Sequence, residues 1–383
     1  MRFSSRARGV AESATLRLWA EAARLRASGV DVIGMLEGEP DLPVPEPVIR
    51  AVEAALKAGR TRYSSSTGLD ELKAAVVVKL RDENGIEVLP NNIIITNGAK
   101  QALYESLQTL CDPGDEVLVP SPCWVTFPEA VKLAGAAPIL IGTDNNHQLD
   151  LKALEAAVTP KTKVIVLNTP NNPTGAVYSE DSLRAVVAFA VRHELAILSD
   201  EAYEGLVYDG ARHRSIASLS PEALSRTVTI QTCSKSFAMT GFRVGYLAGP
   251  ADFVKAAGRV HGHVTGNVCT FAQLGAVAAL DLGASHRDAW RAAHQTRRDV
   301  AFELGSKLFD CVKPRGGLFL FADARRHLKK HKDSAALAQH LLDKARVAVV
   351  PGSAFGREGF LRLSFSSPEA VLREGFSRLE EAL

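Results

Sequence analysis

Between residues 92 and 247 short apolar β runs alternate with helical stretches, and few folds accept that rhythm. The patterning predicts strands over 92–96, 116–119, 138–141, 163–167, 195–199, 227–231 and 243–247. Helices are predicted over 99–110, 127–133, 151–158 and 180–193. Strands this apolar, each followed by a helical pattern, predict an α/β architecture whose mostly parallel sheet is covered on both faces. From about Ala251 long helices take over, the longest predicted over 286–309. After Pro314-Arg315-Gly316-Gly317 a second, smaller α/β unit is expected: strands at 318–322, 347–350 and 361–365, and helices at 334–344 and from Pro368. A chain of 383 residues exceeds one comfortable core. The expected division is a large domain over 40–285 and a small domain from 1–39, with an N-terminal helix over 13–28, plus 286–383.

Composition closes several classes. With 45 basic against 43 acidic residues the net charge is +2, so nothing draws the chain to nucleic acid. The basic run from Arg325 to Lys332 reads as a solvated helix face or loop. No apolar run reaches membrane length, and no membrane association is expected. Five cysteines without a CxxC give no disulfide framework, which points to a reducing, cytoplasmic setting. Arg2, Arg6 and Arg8 among serines faintly resemble a transit peptide, but the helix from Ser13 reads as part of the mature fold. The histidines at 261/263 and 327/331 lack acidic or thiol partners at ligand spacing, so no metal is expected. No GxGxxG follows a strand, which removes a nicotinamide dehydrogenase.

Chemistry concentrates where strands end, as ligands do in open α/β sheets. Cys233-Ser234-Lys235-Ser236 sets a lysine in a small-residue turn, with Arg243 eight positions on. A lysine there can be desolvated and aimed as an imine-forming amine. The guanidinium and the hydroxyls of Thr232 and Ser234 suit a phosphate dianion. The bland reading is a solvated lysine in a serine-rich loop. Asp200 closes an apolar strand and Tyr203 follows it. A carboxylate so placed could keep a pyridine nitrogen protonated, or could simply cap the next turn. The stiff Asn171-Asn172-Pro173-Thr174-Gly175 loop could present Asn172 to a cofactor oxygen. Gly98, Ala99 and Lys100 open a helix whose amides could approach a phosphate, or form an ordinary connection. Trp124 could stack on a heteroaromatic ring or fill core. Arg362 lies inside an apolar strand, where it needs a substrate carboxylate or a structural ion-pair partner. Together these features suggest pyridoxal 5′-phosphate held as a Schiff base on Lys235.

In order along the chain, Gly38-Glu39-Pro40-Asp41, Tyr63 with Gly68, Asn172-Pro173-Thr174-Gly175, Asp200-Glu201-Ala202-Tyr203, Ser234-Lys235 with Arg243 and Gly245, and Arg362-Leu363-Ser364 resemble the class I aminotransferases. The likeness spans nearly the whole chain, including Ser13-Ala14-Thr15-Leu16, and is nearest the bacterial aspartate aminotransferase-like branch. It implies the fold type I architecture of pyridoxal-phosphate-dependent transferases, with a mostly parallel mixed sheet sandwiched by helices and a smaller α/β domain. It also implies roles. Lys235 is the covalent anchor and proton shuttle. Asp200 is the ring-nitrogen partner, Tyr203 and Asn172 are ligands of the ring oxygen, and Trp124 is the ring stack. Gly98, Ala99, Lys100, Thr232, Ser234 and Arg243 surround the phosphate. Arg362, with Gly38, grips the substrate α-carboxylate, and Trp124 and Asn172 also line the substrate site. Tyr63 reaches the neighbour's phosphate in a homodimer with shared active sites.

The resemblance implies an enzyme of amino acid metabolism that moves an amino group from an α-amino acid, aspartate or aromatic, to a 2-oxo acid such as 2-oxoglutarate, in a ping-pong cycle. A carbon–sulfur β-lyase on the same fold, or a ligand sensor, are the competing readings. Two residues depart from the pattern. Thr232 stands where glycine or serine is usual, and Glu37 puts an acid beside Gly38.

Overall fold

The computed structural model describes residues 1–12 and 14–383; Ser13, where the N-terminal helix is expected to begin, lies outside the described residues. The helix itself runs Ala14–Ala27. The predicted alternation becomes a seven-stranded sheet: β1 Ile93–Thr96, β2 Glu116–Ser121, β3 Ala137–Gly142, β4 Thr162–Asn168, β5 Ala196–Asp200, β6 Thr227–Thr232 and β7 Gly245–Ala248. The strands lie in the order β1-β7-β6-β5-β4-β2-β3. β6, β5, β4, β2 and β3 pair in parallel, while β7 is antiparallel to both β6 and β1.

Two-fold side-chain alternation explains why the strands read as continuous apolar runs. Val164 and Val166 of β4 face a core with Leu103, Leu107, Phe127 and Leu198. Their neighbours Ile165 and Leu167 face the opposite core, with Phe189 and Ile197. Helices seal both faces. Helix Glu180–Arg192 starts where the Ser179 hydroxyl accepts from the Ser182 amide, with Glu180 and Asp181 in its first turn and Arg192 in its last. Those charges oppose the ends of the helix dipole.

Because five neighbouring strands run in parallel, Ser121, Asn168, Asp200 and Thr232 all end at one edge of the sheet. The antiparallel β7 begins at that same edge, which delivers Arg243 there. Arg243 itself was expected inside a strand. It instead precedes β7 in the left-handed region, at φ 57°. A non-glycine residue is uncommon there and is held by its surroundings.

The C-terminal unit is a four-stranded antiparallel sheet in the order Val350–Pro351, Phe360–Ser364, Phe319–Asp323, Asp310–Cys311. Helices Gly283–Leu308, Ser334–Lys344 and Glu369–Ala382 accompany it, the first starting three residues before its predicted position. The strand expected over 347–350 divides. Val347–Ala348 pairs in parallel with Ile33–Gly34 from the N-terminal segment, and only Val350–Pro351 joins the larger sheet. That two-stranded ladder brings Gly38 to the strand ends of the central sheet. The basic run forms a short 3₁₀ stretch, Arg325–Lys330. No helix is long and apolar enough to cross a membrane among the described residues.

Candidate active site

A cavity of about 280 Å³ opens at that sheet edge, lined by Gly38, Ala99, Lys100, Trp124, Asn172, Asp200, Tyr203, Thr232, Ser234, Lys235, Arg243 and Arg362. Twelve of the fourteen anticipated residues therefore meet in one place. Gly98 lies just behind the wall, and Tyr63 is 98% exposed, away from this chain's own pocket.

Lys235 sits in the one-turn helix Cys233–Ser236, at the end of β6. The long helix braces that turn: Trp290 Nε1 donates to the Lys235 carbonyl at 3.0 Å, and His286 Nε2 lies 3.2 Å from the Ser236 carbonyl. The ammonium donates to the Gly38 carbonyl at 2.6 Å. Burial pulls its pKa from 10.5 down to about 8, helped by Arg243 and Arg362 and opposed by Glu39 and Asp200. An amine so placed is in part neutral near neutral pH, as a nucleophile or base must be.

Asp200 is 3% exposed. Its Oδ1 accepts from the Ala202 amide at 3.0 Å, so the local capping role also holds. Its backbone carbonyl accepts from Asn168 Nδ2 at 3.0 Å, and Asn168 Oδ1 in turn accepts from the Asn172 amide at 2.8 Å. Asn168 thus ties two site loops together and was missed by sequence reasoning; its only signal is a polar residue ending an apolar strand. Burial raises the Asp200 carboxyl to about 6, reinforced by the charge of Glu201 and opposed by the Ala202 amide and Lys235. Burial also pushes the Tyr203 phenol well up, against the pull of Arg362 and a hydrogen bond with Asn172.

Arg362 is buried between aromatic faces, with its guanidinium carbon 4.0 Å from the Phe319 ring centroid and 4.8 Å from that of Phe355. Its guanidinium donates to Asn172 Oδ1 at 3.1 Å and to the Leu36 carbonyl at 2.7 Å, and Nε has no partner. No carboxylate pairs with it among the described residues. The structural ion pair considered above is therefore not what holds it. Burial draws its pKa down, with Tyr203 and Glu37 opposing. Glu37 turns to Arg26 at 3.5 Å. Phe319 and Phe355 could not be foreseen, because their partnership with Arg362 exists only across strands and loops.

A phosphate cradle forms at the other end. Gly98, at φ 76°, precedes the twelve-residue helix Ala99–Leu110, whose first-turn amides have no partner within the helix. A Cβ on Gly98 would lie 2.7 Å from Arg243 Nη2, and one on Gly245 would lie 2.9 Å from the Ala99 amide. Both glycines hold open the approach of guanidinium and helix terminus. Among the described residues Arg243 donates only to backbone carbonyls, of Thr240 at 2.8 Å and Asn97 at 3.2 Å, which leaves donors for an anion. The Thr232 hydroxyl lies 2.9 Å from that of Ser234 and accepts the Ser234 amide. These donors, the singly bonded carboxylate of Asp200 and the desolvated amine of Lys235 fit the phosphate, ring nitrogen and aldehyde of pyridoxal 5′-phosphate.

Lys100 contributes more than its amide. Its ammonium lies 5.2 Å from the Trp124 ring centroid, and burial, with Arg243, lowers its pKa. Thr15 and Leu16 also line the cavity. His261 does meet an acidic partner: Glu105 Oε2 lies 3.0 Å from Nδ1, although 156 residues separate the two.

Residues 30–379 match the family model for aminotransferases of class I and II. The chain is 43% identical to a probable aspartate/prephenate aminotransferase of Aquifex aeolicus, over 99% of this chain and 98% of the relative. It is 39% identical to the aspartate aminotransferase of Bacillus subtilis, over 99% and 98% respectively. Among solved structures it is similar to the aspartate aminotransferase of Thermus thermophilus with maleate, at a TM-score of 0.95 and 38% identity, with all of both chains covered.

Proposed function

From the premise that this chain belongs to the class I and II aminotransferase family, we propose that its pocket is built for dicarboxylic substrates, with Lys235 at the reacting centre and Arg362 gripping the α-carboxylate. The protein is a pyridoxal-5′-phosphate-dependent aminotransferase that takes amino acid and 2-oxo acid substrates. The lyase and ligand-sensing alternatives are not favoured by relatives of these names. Bound here, the cofactor supplies an aldehyde and an electron sink.

The chain's own residues do the rest. Lys235 anchors the cofactor and, in its neutral form, takes the proton from the substrate Cα. Asp200 would accept a hydrogen bond from the cofactor's ring nitrogen and hold a proton there. Tyr203 and Asn172 would orient the ring oxygen, and Trp124 would lie against the ring. Gly98, Ala99, Lys100, Thr232, Ser234 and Arg243 hold the phosphate through amides, hydroxyls and a guanidinium. Arg362, preorganised between Phe319 and Phe355, spends its remaining donors on the α-carboxylate, with Gly38 beside it.

One observation carries this reading: a buried guanidinium with no carboxylate partner among the described residues shares a cavity with Lys235 and Asp200. The dicarboxylate preference rests on charge. Arg243 serves the phosphate and Arg362 the α-carboxylate, so the Lys100 ammonium remains for a distal carboxylate. Maleate, present in the Thermus thermophilus structure, is a dicarboxylate, in keeping with this. The exposed Tyr63 suits donation to a second copy's phosphate, hence a homodimer, and a cytoplasmic setting suits free cysteines. A division into a large domain over 40–285 and a small one from 1–39 and 286–383 is supported by the seven-stranded sheet lying wholly within the first and the four- and two-stranded sheets wholly within the second. The test is a half-reaction screen of the loaded protein by absorbance. Aspartate and glutamate should react best; equal or greater turnover of apolar amino acids would overturn the preference. Borohydride treatment should leave a cofactor adduct on Lys235, and an unmodified Lys235 would overturn the site.

A further inference from the structure

The Asp200–Glu204 turn carries acids on both sides of the sheet. Asp200 and Tyr203 face the cavity, whereas Glu201 and Glu204 turn into a buried polar network behind it. Glu201 is 1% exposed. Its Oε1 accepts from Ser199 Oγ at 2.9 Å, and its Oε2 accepts from Gln231 Nε2 at 3.0 Å and from Ser215 Oγ. His213 Nε2 lies 3.1 Å from the same Oε2, and its side chain is 6% exposed. Glu204 pairs with the buried Lys79 ammonium, which also donates to Asn84 Oδ1 at 2.8 Å and Gln231 Oε1 at 2.6 Å. Tyr246 donates to Gln231 Oε1 at 2.5 Å. Three ligand-type side chains, Glu201, Glu204 and His213, come together here, but Lys79 already supplies the positive charge. Resting on the assignment of Asp200 above, we infer that Glu201 is a positioning residue: clamped by buried donors just past the end of β5, it anchors the chain next to Asp200 and places a constant negative charge one residue from its carboxylate.

The consequence is electrostatic. A carboxylate is a better proton acceptor when another anion stands behind it, and Glu201 acts on Asp200 in that sense. Full burial disfavours Glu201's own charge, but His213 and hydrogen bonds from Ser215 and Gln231 hold its carboxyl below the ordinary value. It therefore stays ionised at neutral pH. The other charged or titratable groups around Asp200 are Lys235 and Tyr203. Around Glu201 they are His213 and, one layer out, Glu204, Lys79, Glu83 and Arg287. Glu201 therefore strengthens the hold of Asp200 on the ring-nitrogen proton, whereas a merely structural glutamate would change stability alone.

The test uses protein loaded with pyridoxal phosphate labelled with ¹⁵N in the ring, read by NMR across pH. In Glu201→Gln the pH at which the ring nitrogen loses its proton should fall by about one unit relative to wild type. In His213→Gln, which removes a partner that holds Glu201 ionised, it should also fall. Wild-type midpoints in both folded, loaded variants would overturn the inference, even with lowered thermal midpoints. If Glu201→Gln does not fold, His213→Gln decides alone; if neither folds, the network is structural and the inference fails. A wild-type protein with no adduct on Lys235 would instead refute the site assignment.

Discussion

Replacing Asp200 by asparagine should stabilise the empty protein while crippling the loaded one. The carboxyl is raised from 3.8 to about 6, chiefly by burial. A raised carboxyl means that folding disfavours the charged form. That cost is absent below the unfolded value, grows as pH rises from about 4 to 6, and is full above about 6. Two pH units correspond to about 3 kcal/mol. Asparagine keeps the oxygen that accepts from the Ala202 amide and carries no charge. Cofactor-free Asp200→Asn should therefore exceed wild type in stability by up to ~3 kcal/mol near neutrality. The advantage should vanish below about pH 4, where the wild-type carboxyl is also neutral. The assay is thermal unfolding of both stripped proteins across that range. The difference between them cancels acid effects on the rest of the chain. Cofactor retention, measured by dialysis, should move the opposite way. A wild type at least as stable as the variant near neutrality, or a difference independent of pH, would refute the reasoning.

Arg362→Lys keeps a charge but loses the fork, and should raise KM for both substrates about ten- to hundredfold; Arg362→Ala should cost about a thousandfold in kcat/KM, with the fold intact by circular dichroism. Gly98→Ala places a Cβ 2.7 Å from Arg243 Nη2 at a φ of 76°, so equilibrium dialysis should show at least tenfold weaker cofactor binding. Lys100→Ala should raise KM for aspartate and glutamate about tenfold and leave phenylalanine nearly unchanged, as a steady-state comparison of the three would show.

The strands and strand-end residues were legible because they depend on local pattern. Helix Ala99–Leu110 falls on its predicted limits, since Gly98 before it and Asp112-Pro113 after it punctuate the chain. Asp200 and Asn172 could be placed because a parallel sheet brings its carboxyl ends together whatever the register. Arg362 could be picked out because a lone charge in an apolar strand demands a partner. What escaped depends on pairs far apart in the chain. The Phe319 and Phe355 faces around Arg362, the Lys79–Glu204 pair across 125 residues and the His261–Glu105 pair leave no local trace. Arg243 escaped for a different reason. Its left-handed backbone overrides the β propensity of its apolar neighbours, and only the antiparallel pairing of β7 fixes it.

The two layers of polar residues at this sheet edge follow from one constraint. A strand that ends in a binding carboxylate must place its next residue on the opposite face, where helices exclude water. At Glu201 that residue is another acid, so its charge must be met by donors. Ser199, Ser215 and Gln231 come from three separate elements to meet it. An apolar residue at 201 would have needed none of those three donors. Retaining the acid costs desolvation that packing alone does not require. The added charge one residue from Asp200 raises that carboxyl further, so the acid at 201 gives up stability for its effect on the ring side.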